Sequence, residues 1–330
     1  MKVLVTGGGG FLGKAIVKLL LEQGDDVRSF SRNIYPQLTQ LGVEQFVGDL
    51  TDLPAVIKAA DSCDLVYHVA AKAGVWGSYD EFYQPNVAGT KNILQACKKC
   101  DITRLVYTSS PSVVFDGTDM EGIDESAPYP DHFLSPYPRT KAEAEQLVLA
   151  ANNAEFATVA LRPHLIWGPE DNHLVPRILE RGRAGALRRI GDRPCLVDTV
   201  YIDNAAKAHI LAAKNLSTES SVAGKAYFIS NDEPLPLWDI VNRILAAGDV
   251  SPVSKTISPA LAYAAGWFLE RLYQGLRLSA EPRMTRFVAK ELSTAHWFNL
   301  AAAKNDFGYQ PEVSIAEGLS RLQGWLQEER

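Results

Sequence analysis

Cysteine is scarce in this chain, with 4 residues in 330, at Cys63, Cys97, Cys100 and Cys195. So few thiols do not make a disulfide framework, and a reducing compartment fits them. Cys97 and Cys100 form one Cys-x-x-Cys. It closes a helical run (NILQACKKC) instead of opening a helix after a strand, and no second pair exists to complete a zinc site. The pair reads as structural thiols, and no metal is expected. A surplus of basic charge is also missing. With 33 Lys and Arg against 39 Asp and Glu the net charge is −6, which argues against nucleic-acid binding through a basic face. No uncharged apolar run reaches the ~18 residues of a transmembrane helix. The opening residues MKVLVTGG run straight into a strand pattern with no secretory leader, so a cytoplasmic protein is expected. The most apolar late stretch, 259–276, is interrupted by Glu270 and Arg271. It reads as an amphipathic helix, either a lid or core helix or a peripheral contact with a membrane or partner.

What is present is a globular composition, 46% hydrophobic and 22% charged. Short apolar runs (KVLVT, DVRSF, EQFVGDL, DLVYHVAA, RLVYTSS, TVALRPHLIWG) alternate with helical patterns (KAIVKLLLEQG, LPAVIKAA, NVAGTKNILQACKKC, KAEAEQLVLAANN). Continuous apolar strands separated by helices imply a parallel sheet covered on both faces, and right-handed crossovers make it doubly wound. The fold class expected is therefore α/β: a Rossmann domain over 1–168 and a smaller, mostly helical substrate-binding lobe over 169–330. The two are interwoven, with some later segments returning to the core. A helix over Leu237–Ala247 and a strand over Ala226–Ser230 are among the later elements.

The first strand is followed by Thr6-Gly7-Gly8-Gly9-Gly10-Phe11-Leu12-Gly13 and then a helix. Gly7 permits the tight turn, Gly10 lets backbone approach a pyrophosphate, and Gly13 lets helix pack on strand. Free N–H groups at the helix start, around Phe11 and Leu12, face the anion. The second strand ends Ser29-Phe30-Ser31-Arg32, without the acid that would bind a ribose 2′-hydroxyl. Arg32 can instead pair with a 2′-phosphate, which favours NADP(H); the alternative is a solvent-facing arginine. Asp49 is placed to accept from an adenine amino group with Leu50 against the ring, or else it caps the next helix. Ala70 and Ala71 end the fourth strand and leave room for a cofactor.

A second signature is Tyr137-Pro138-Arg139-Thr140-Lys141. On a helix, positions i and i+4 share a face, so Tyr137 and Lys141 can point into one cleft. A free phenol has a pKa near ~10. A neighbouring ammonium, together with the positive ring of an oxidised nicotinamide, favours the phenolate and lowers it. Upstream, the strand ending Thr108-Ser109-Ser110 is followed by Pro111-Ser112. Ser110, with Ser112 behind it, can hydrogen-bond a carbonyl oxygen as charge develops, or serve as a strand-end cap.

Taken together, TGGGGFLG, HVAA, NVAGTKNIL, YTSS, YPRTK, LRPHLIWGP, VYIDNAAKAHILAA and the late FGYQPEVSIAEGL resemble the extended short-chain dehydrogenase/reductases, in their 3β-hydroxysteroid dehydrogenase-like branch. The segments AAKAGVWGSYDEFYQPNVAGT and YTSSPSVVFDG look like those of the 2-alkyl-3-oxoalkanoate reductases of bacterial long-chain olefin synthesis. The resemblance implies a catalytic set of Ser110, Tyr137 and Lys141, with the family asparagine at Asn86. It also implies Pro163 beside the nicotinamide. One departure is Val114-Phe115-Asp116-Gly117 in place of the family's Tyr-Gly after the serine strand.

The expected activity is NADPH-dependent reduction of a 3-oxo group on a long apolar substrate, a 2-alkyl-3-oxoalkanoate above others. Competing readings are a 3β-hydroxysteroid or sterol dehydrogenase, a nucleotide-sugar epimerase, and a non-catalytic NADPH-sensing protein. A carboxylate on the substrate asks for a cation; Lys72, His164 and Arg177 are the options, each otherwise a surface group. The partner expected is a lipid-like small molecule. Self-association and assembly with other olefin-pathway enzymes are left open.

Overall fold

A computed structural model describes residues 1–278 and 280–329. Among these, seven strands form the main sheet: β1 (Lys2–Thr6), β2 (Asp26–Ser31), β3 (Glu44–Val47), β4 (Leu65–His68), β5 (Arg104–Thr108), β6 (Ala157–Pro163) and β7 (Lys225–Ile229). All pair in parallel, in the order β7-β6-β5-β4-β1-β2-β3. The chain winds outward from β1 to β3, then returns to β4 on the other side of β1. That reversal opens a crevice above the carboxyl ends of β1 and β4, where ligands of such sheets bind.

Two-residue periodicity sends alternate side chains to opposite faces. Val3 and Val5 of β1 join a core with Ile16, Val17, Ala205 and Ala208, under the Phe11–Glu22 and Ile202–Lys214 helices. Leu4 joins a second core with Val56, Ile93, Ala144 and Val148, under the helices Leu53–Ala60, Gly89–Lys99 and Pro136–Ala150. The sheet is therefore doubly wound, as its apolar strand runs predict.

The later chain does not stay apart from this layer. It supplies β7 at one edge and the Ile202–Lys214 helix on one face. It also forms a smaller assembly of helices (Leu174–Arg183, Leu237–Ala247, Pro259–Gly275, Arg286–Glu291) and most of a four-stranded sheet. In that sheet His296–Phe298 pairs in parallel with Met120–Ile123, joining residues far apart in sequence. Long-range pairing of this kind leaves no local pattern to read.

Two local differences from the sequence pattern matter. The run TVALRPHLIWG reads as one strand, but it breaks after Pro163 and resumes at Ile166–Trp167. Leu165 between them has φ 44°, a left-handed conformation that a branched side chain adopts only when its surroundings enforce it. Likewise, the helical run through NVAGT begins with a π-helical turn over Gln84–Ala88 before the regular Gly89–Lys99 helix. Such turns are rare and cluster at functional positions; here the turn carries Asn86.

Candidate active site

The glycine turn closes tightly. The Gly7 N–H donates to the Phe30 carbonyl at 2.8 Å and the Gly10 N–H to the Gly7 carbonyl at 2.8 Å. Gly7 has φ 70°, and a Cβ there would press on the Ala70 backbone at 3.1 Å. A Cβ on Gly13 would collide with the Gly7 carbonyl oxygen. Gly10 is the cap residue of the Phe11–Glu22 helix and offers no side chain, so the first N–H groups stay free for an anion.

A buried chain of hydrogen bonds holds the crevice in register. Thr6 Oγ1 bridges to His68 Nδ1 at 2.9 Å and accepts from the N–H groups of Val69 and Ala70 at 3.1 Å each. His68 Nε2 meets Thr90 Oγ1 at 3.0 Å. Burial, reinforced by the Lys141 charge, pushes His68 down to about 3, so it is a neutral spacer at physiological pH. Asn86 ties the loop after β4 to the next layer. Its Oδ1 accepts from Lys72 N at 2.7 Å, and its Nδ2 donates to Lys72 O at 3.0 Å and Thr140 Oγ1 at 3.1 Å.

Tyr137 and Lys141 lie on the Pro136–Ala150 helix. Ser135 caps it, accepting from Tyr137 N, and Pro136 and Pro138 occupy the first turn, where no helical donor is lost. Lys141 is buried; its Nζ donates to the Thr108 carbonyl at 2.6 Å and sits 4.2 Å from the centre of the Tyr107 ring. Burial lowers it to about 7, partly opposed by the Glu145 carboxylate. For Tyr137, burial pushes the phenol up, a hydrogen bond to Ser110 pulls it down, and the Glu291 carboxylate pushes it up again. The net direction is upward. The sequence assigns a lowering to Lys141 together with an oxidised nicotinamide; in the protein chain the Lys141 Nζ donates to the Thr108 carbonyl. Ser110 Oγ lies 2.9 Å from Ser112 Oγ and accepts from Ser112 N at 3.2 Å, capping the short turn at Pro111–Val114.

These groups share one cavity of about 1020 Å³. At one end it is lined by Gly7, Gly10, Phe11, Leu12, Gly13, Arg32, Asp49 and Leu50. In the middle lie Ala70, Ala71, Ser110, Tyr137, Lys141 and Pro163, and beyond them Lys72, Ser112 and His164. Asp49 does not cap the following helix; Asp52 does. The Asp49 carboxylate accepts from the Thr51 N–H at 2.9 Å and its hydroxyl at 2.6 Å, and these bonds, with a smaller contribution from Arg32, hold it below the usual range.

The carboxylate-binding cations foreseen from sequence are mostly committed elsewhere. Lys72 Nζ pairs with Glu81 at 2.7 Å and lies over the Phe82 ring. Arg177 pairs with Glu281. His164 is packed edge-on against His296 and Phe298 and is pushed down to about 3 by burial, so it is uncharged. Sequence reasoning missed Glu291, Phe287, His296, Met120 and Phe115, which line the far end. Glu291 makes no hydrogen bond or ion pair with the described residues, and burial raises it to about 8. No motif marks these residues, because the Met120 and His296 strands meet only in the folded chain. Among the described residues no cluster suited to a metal ion is found.

Residues 4–259 match the model of the 3-beta hydroxysteroid dehydrogenase/isomerase family. The chain is 54% identical to the 2-alkyl-3-oxoalkanoate reductase of Stenotrophomonas maltophilia strain K279a, over 98% of each chain. It is 34% identical to the mouse decarboxylating sterol-4-alpha-carboxylate 3-dehydrogenase, over 97% of this chain and 89% of that one. In fold it is similar to the crystal structure of a Bacillus cereus UDP-glucuronic acid 4-epimerase in complex with NAD. That likeness has a TM-score of 0.75 at 22% identity, over 100% of this chain and 99% of the other.

Proposed function

The chain belongs to the 3-beta hydroxysteroid dehydrogenase/isomerase family and is an NAD(P)-dependent oxidoreductase; on that premise we propose that it uses NADPH to reduce the 3-oxo group of a 2-alkyl-3-oxoalkanoate to the 3-hydroxy acid. The observation that carries this reading is the full-length 54% identity to a reductase of that name. The composition of the cavity supports it: the hydroxyl groups of Tyr137 and Ser110 line it together with the apolar side chains of Phe115, Met120 and Phe287, which suit an alkyl chain.

The nicotinamide cofactor suits the residues present. The glycine turn leaves no room for side chains, and Ser31 Oγ is buried without a partner at the end of β2. Arg32 lines the cavity there, exposed, with no ion pair among the described residues. In this proposal Gly7, Gly10 and Gly13 admit the pyrophosphate, Arg32 and Ser31 hold the 2′-phosphate, and Leu50, Ala70, Ala71 and Pro163 flank the rings. NADPH supplies the hydride when bound. Ser110 Oγ donates to the carbonyl oxygen, and Tyr137 Oη passes its proton to that oxygen as charge accumulates. Lys141 would hold the nicotinamide ribose. Its ammonium would offset the burial that otherwise holds the phenol up.

Arg32→Gln should lower kcat/KM for NADPH about ten- to hundredfold, the value of charge-assisted hydrogen bonds, and leave the NADH value nearly unchanged. Equal losses with both cofactors would show that Arg32 does not read the phosphate. The reaction itself is tested by following NADPH oxidation with a 2-alkyl-3-oxo acid and with a 3-oxosteroid. Faster turnover of the acid is expected; turnover of the steroid alone would favour the sterol dehydrogenase reading, for which the 34% relative stands.

A further inference from the structure

The Arg286–Glu291 helix turns a carboxyl group toward the cavity with nothing to meet it. Phe287 and Glu291 are one helical turn apart and share a face, and both line the cavity. Arg286 and Lys290 are engaged elsewhere: Arg286 is held by Glu270, and the Lys290 Nζ lies 5.9 Å from the centre of the Tyr263 ring. Phe287 belongs to an aromatic wall, edge-on to Phe115 with ring centres 6.0 Å apart, and Phe115 is edge-on to His296 at 5.1 Å. The Glu291 carboxyl makes no hydrogen bond or ion pair with the described residues. A buried carboxyl without a partner costs stability unless a ligand completes it. Glu291 is also the last residue of its helix, and the carbonyl groups gathered at a helix C-terminus oppose a negative charge. Burial acts in the same direction and raises the group to about 8. At neutral pH it is therefore an uncharged O–H donor.

The charged groups around it supply no substitute. Arg177, on the Leu174–Arg183 helix, attracts the Glu291 charge but is paired with Glu281. Tyr137 and Lys141 reach the cavity from the Pro136–Ala150 helix; the phenol is raised by the Glu291 charge, and Lys141 donates to the Thr108 carbonyl. His164 and His296 are held uncharged by burial, at about 3 and about 4. Asp171 accepts from the N–H groups of His173, Leu174 and Val175, and Glu81 holds Lys72. A carboxylate lying beside Tyr137 thus finds no uncommitted cation, and Glu291 is the donor that remains.

We propose that Glu291 recognises the carboxylate of the substrate, its O–H donating to one carboxylate oxygen so that the two carboxyl groups hold a single proton between them. Two carboxyl groups in one site do not both carry charge, and an O–H donor to a charged oxygen makes one of the stronger hydrogen bonds. The inference rests on the 3-oxo acid proposed above, whose carboxyl carbon is separated from the keto carbon by one carbon. Glu291 is near enough for its charge to act on the Tyr137 phenol, so one ligand can meet both. A lysine or arginine would bind a carboxylate at any pH; Glu291 binds one only while it keeps its proton. An ester or thioester offers that O–H only a neutral acceptor, so the free acid is the preferred form of the substrate.

The test is calorimetric titration of the NADPH-bound protein with 2-hexyldecanoate, a branched acid with no 3-oxo group to reduce, and with the matching alcohol. Acid binding should weaken by up to about tenfold per pH unit above about 8. In buffers of different ionisation heat it should take up nearly one proton at about pH 9 and almost none at about pH 7. The alcohol is satisfied by either form of the carboxyl, so its affinity should stay level. Glu291→Gln, which does not ionise, should bind the acid with no fall above pH 8 and no proton uptake. Glu291→Leu, with no donor, should bind it about ten- to hundredfold more weakly at neutral pH. The proposal is overturned by no binding of the acid, by acid affinity that stays level across this range, or by a parallel fall for the alcohol. Proton uptake that persists in Glu291→Gln overturns it too, assigning the proton to Lys141, which is lowered to about 7. Reduction of a 2-alkyl-3-oxo acid is read separately. Proton-linked binding without that reduction would remove the substrate assignment and leave the carboxyl site standing.

Discussion

Tyr137→Phe should lose turnover by about 10²- to 10⁴-fold, the usual weight of a positioned proton donor, while NADPH binds as before. The substitution removes one oxygen and keeps the ring. That ring packs beside Phe82, with centres 6.3 Å apart, so the helix and the cavity wall should survive. What is lost is the hydroxyl, and with it the proton that must reach the carbonyl oxygen. The measurement is single-turnover NADPH oxidation alongside a fluorescence titration of NADPH. Retained turnover would remove Tyr137 from the chemistry. Loss of both turnover and binding would instead report a disturbed cavity.

The second large effect is on stability. Arg162 on β6 and Glu145 on the Pro136–Ala150 helix form an ion pair with relative side-chain exposures of 3% and 0%. The pair is two-pronged, with Arg162 Nε to Glu145 Oε2 at 3.0 Å and Nη2 to Oε1 at 2.6 Å, and Tyr129 Oη donates to the same carboxylate at 2.7 Å. Glu145→Ala leaves the guanidinium buried near the Tyr129 and Phe228 rings without its hydrogen-bonded carboxylate, and with only the more distant Glu125 as a charge partner. Breaking such a pair costs about 3–5 kcal/mol. The exposed pair Arg321–Glu317, one helical turn apart, is the control, and Glu317→Ala should change stability by only a few tenths of a kcal/mol. Urea unfolding of both variants checks this. Comparable midpoints would mean that water reaches Arg162. Glu145 also supports the charge on Lys141, so its loss should move that lysine further below about 7. The core pair therefore ties the rigidity of the helix to the protonation of its inward face.

Much of the fold is legible in the sequence because it is locally encoded. The glycine turn needs its residues in consecutive positions, and the buried strands need uninterrupted apolar runs. The Leu237–Ala247 helix has the boundaries its pattern predicts. The break at Leu165 was not legible, since its left-handed backbone is imposed by neighbours from other elements. The Pro259–Gly275 helix illustrates a different limit. Periodicity reveals that one face is apolar, but not that Gly266 and Glu270 turn inward and Phe268 outward. The site divides in the same way. Residues put forward from motifs, including Ser110, Tyr137, Lys141 and Arg32, line one cavity. Glu291 and His296 reach it only through the small sheet and the Arg286–Glu291 helix, and nothing near them in sequence announces it. Lys72 shows that residue type alone cannot tell a free cation from one already matched, here by Glu81.

Isotope transfer tests the central claim most directly. The protein would be given a 2-alkyl-3-oxo acid and NADPH deuterated at its transferring position, and the product analysed by mass spectrometry and NMR. Deuterium bound to C3 of a 3-hydroxy acid, lost in the Tyr137→Phe protein, is the predicted result. A product with no deuterium on that carbon, or no product at all, would contradict the account.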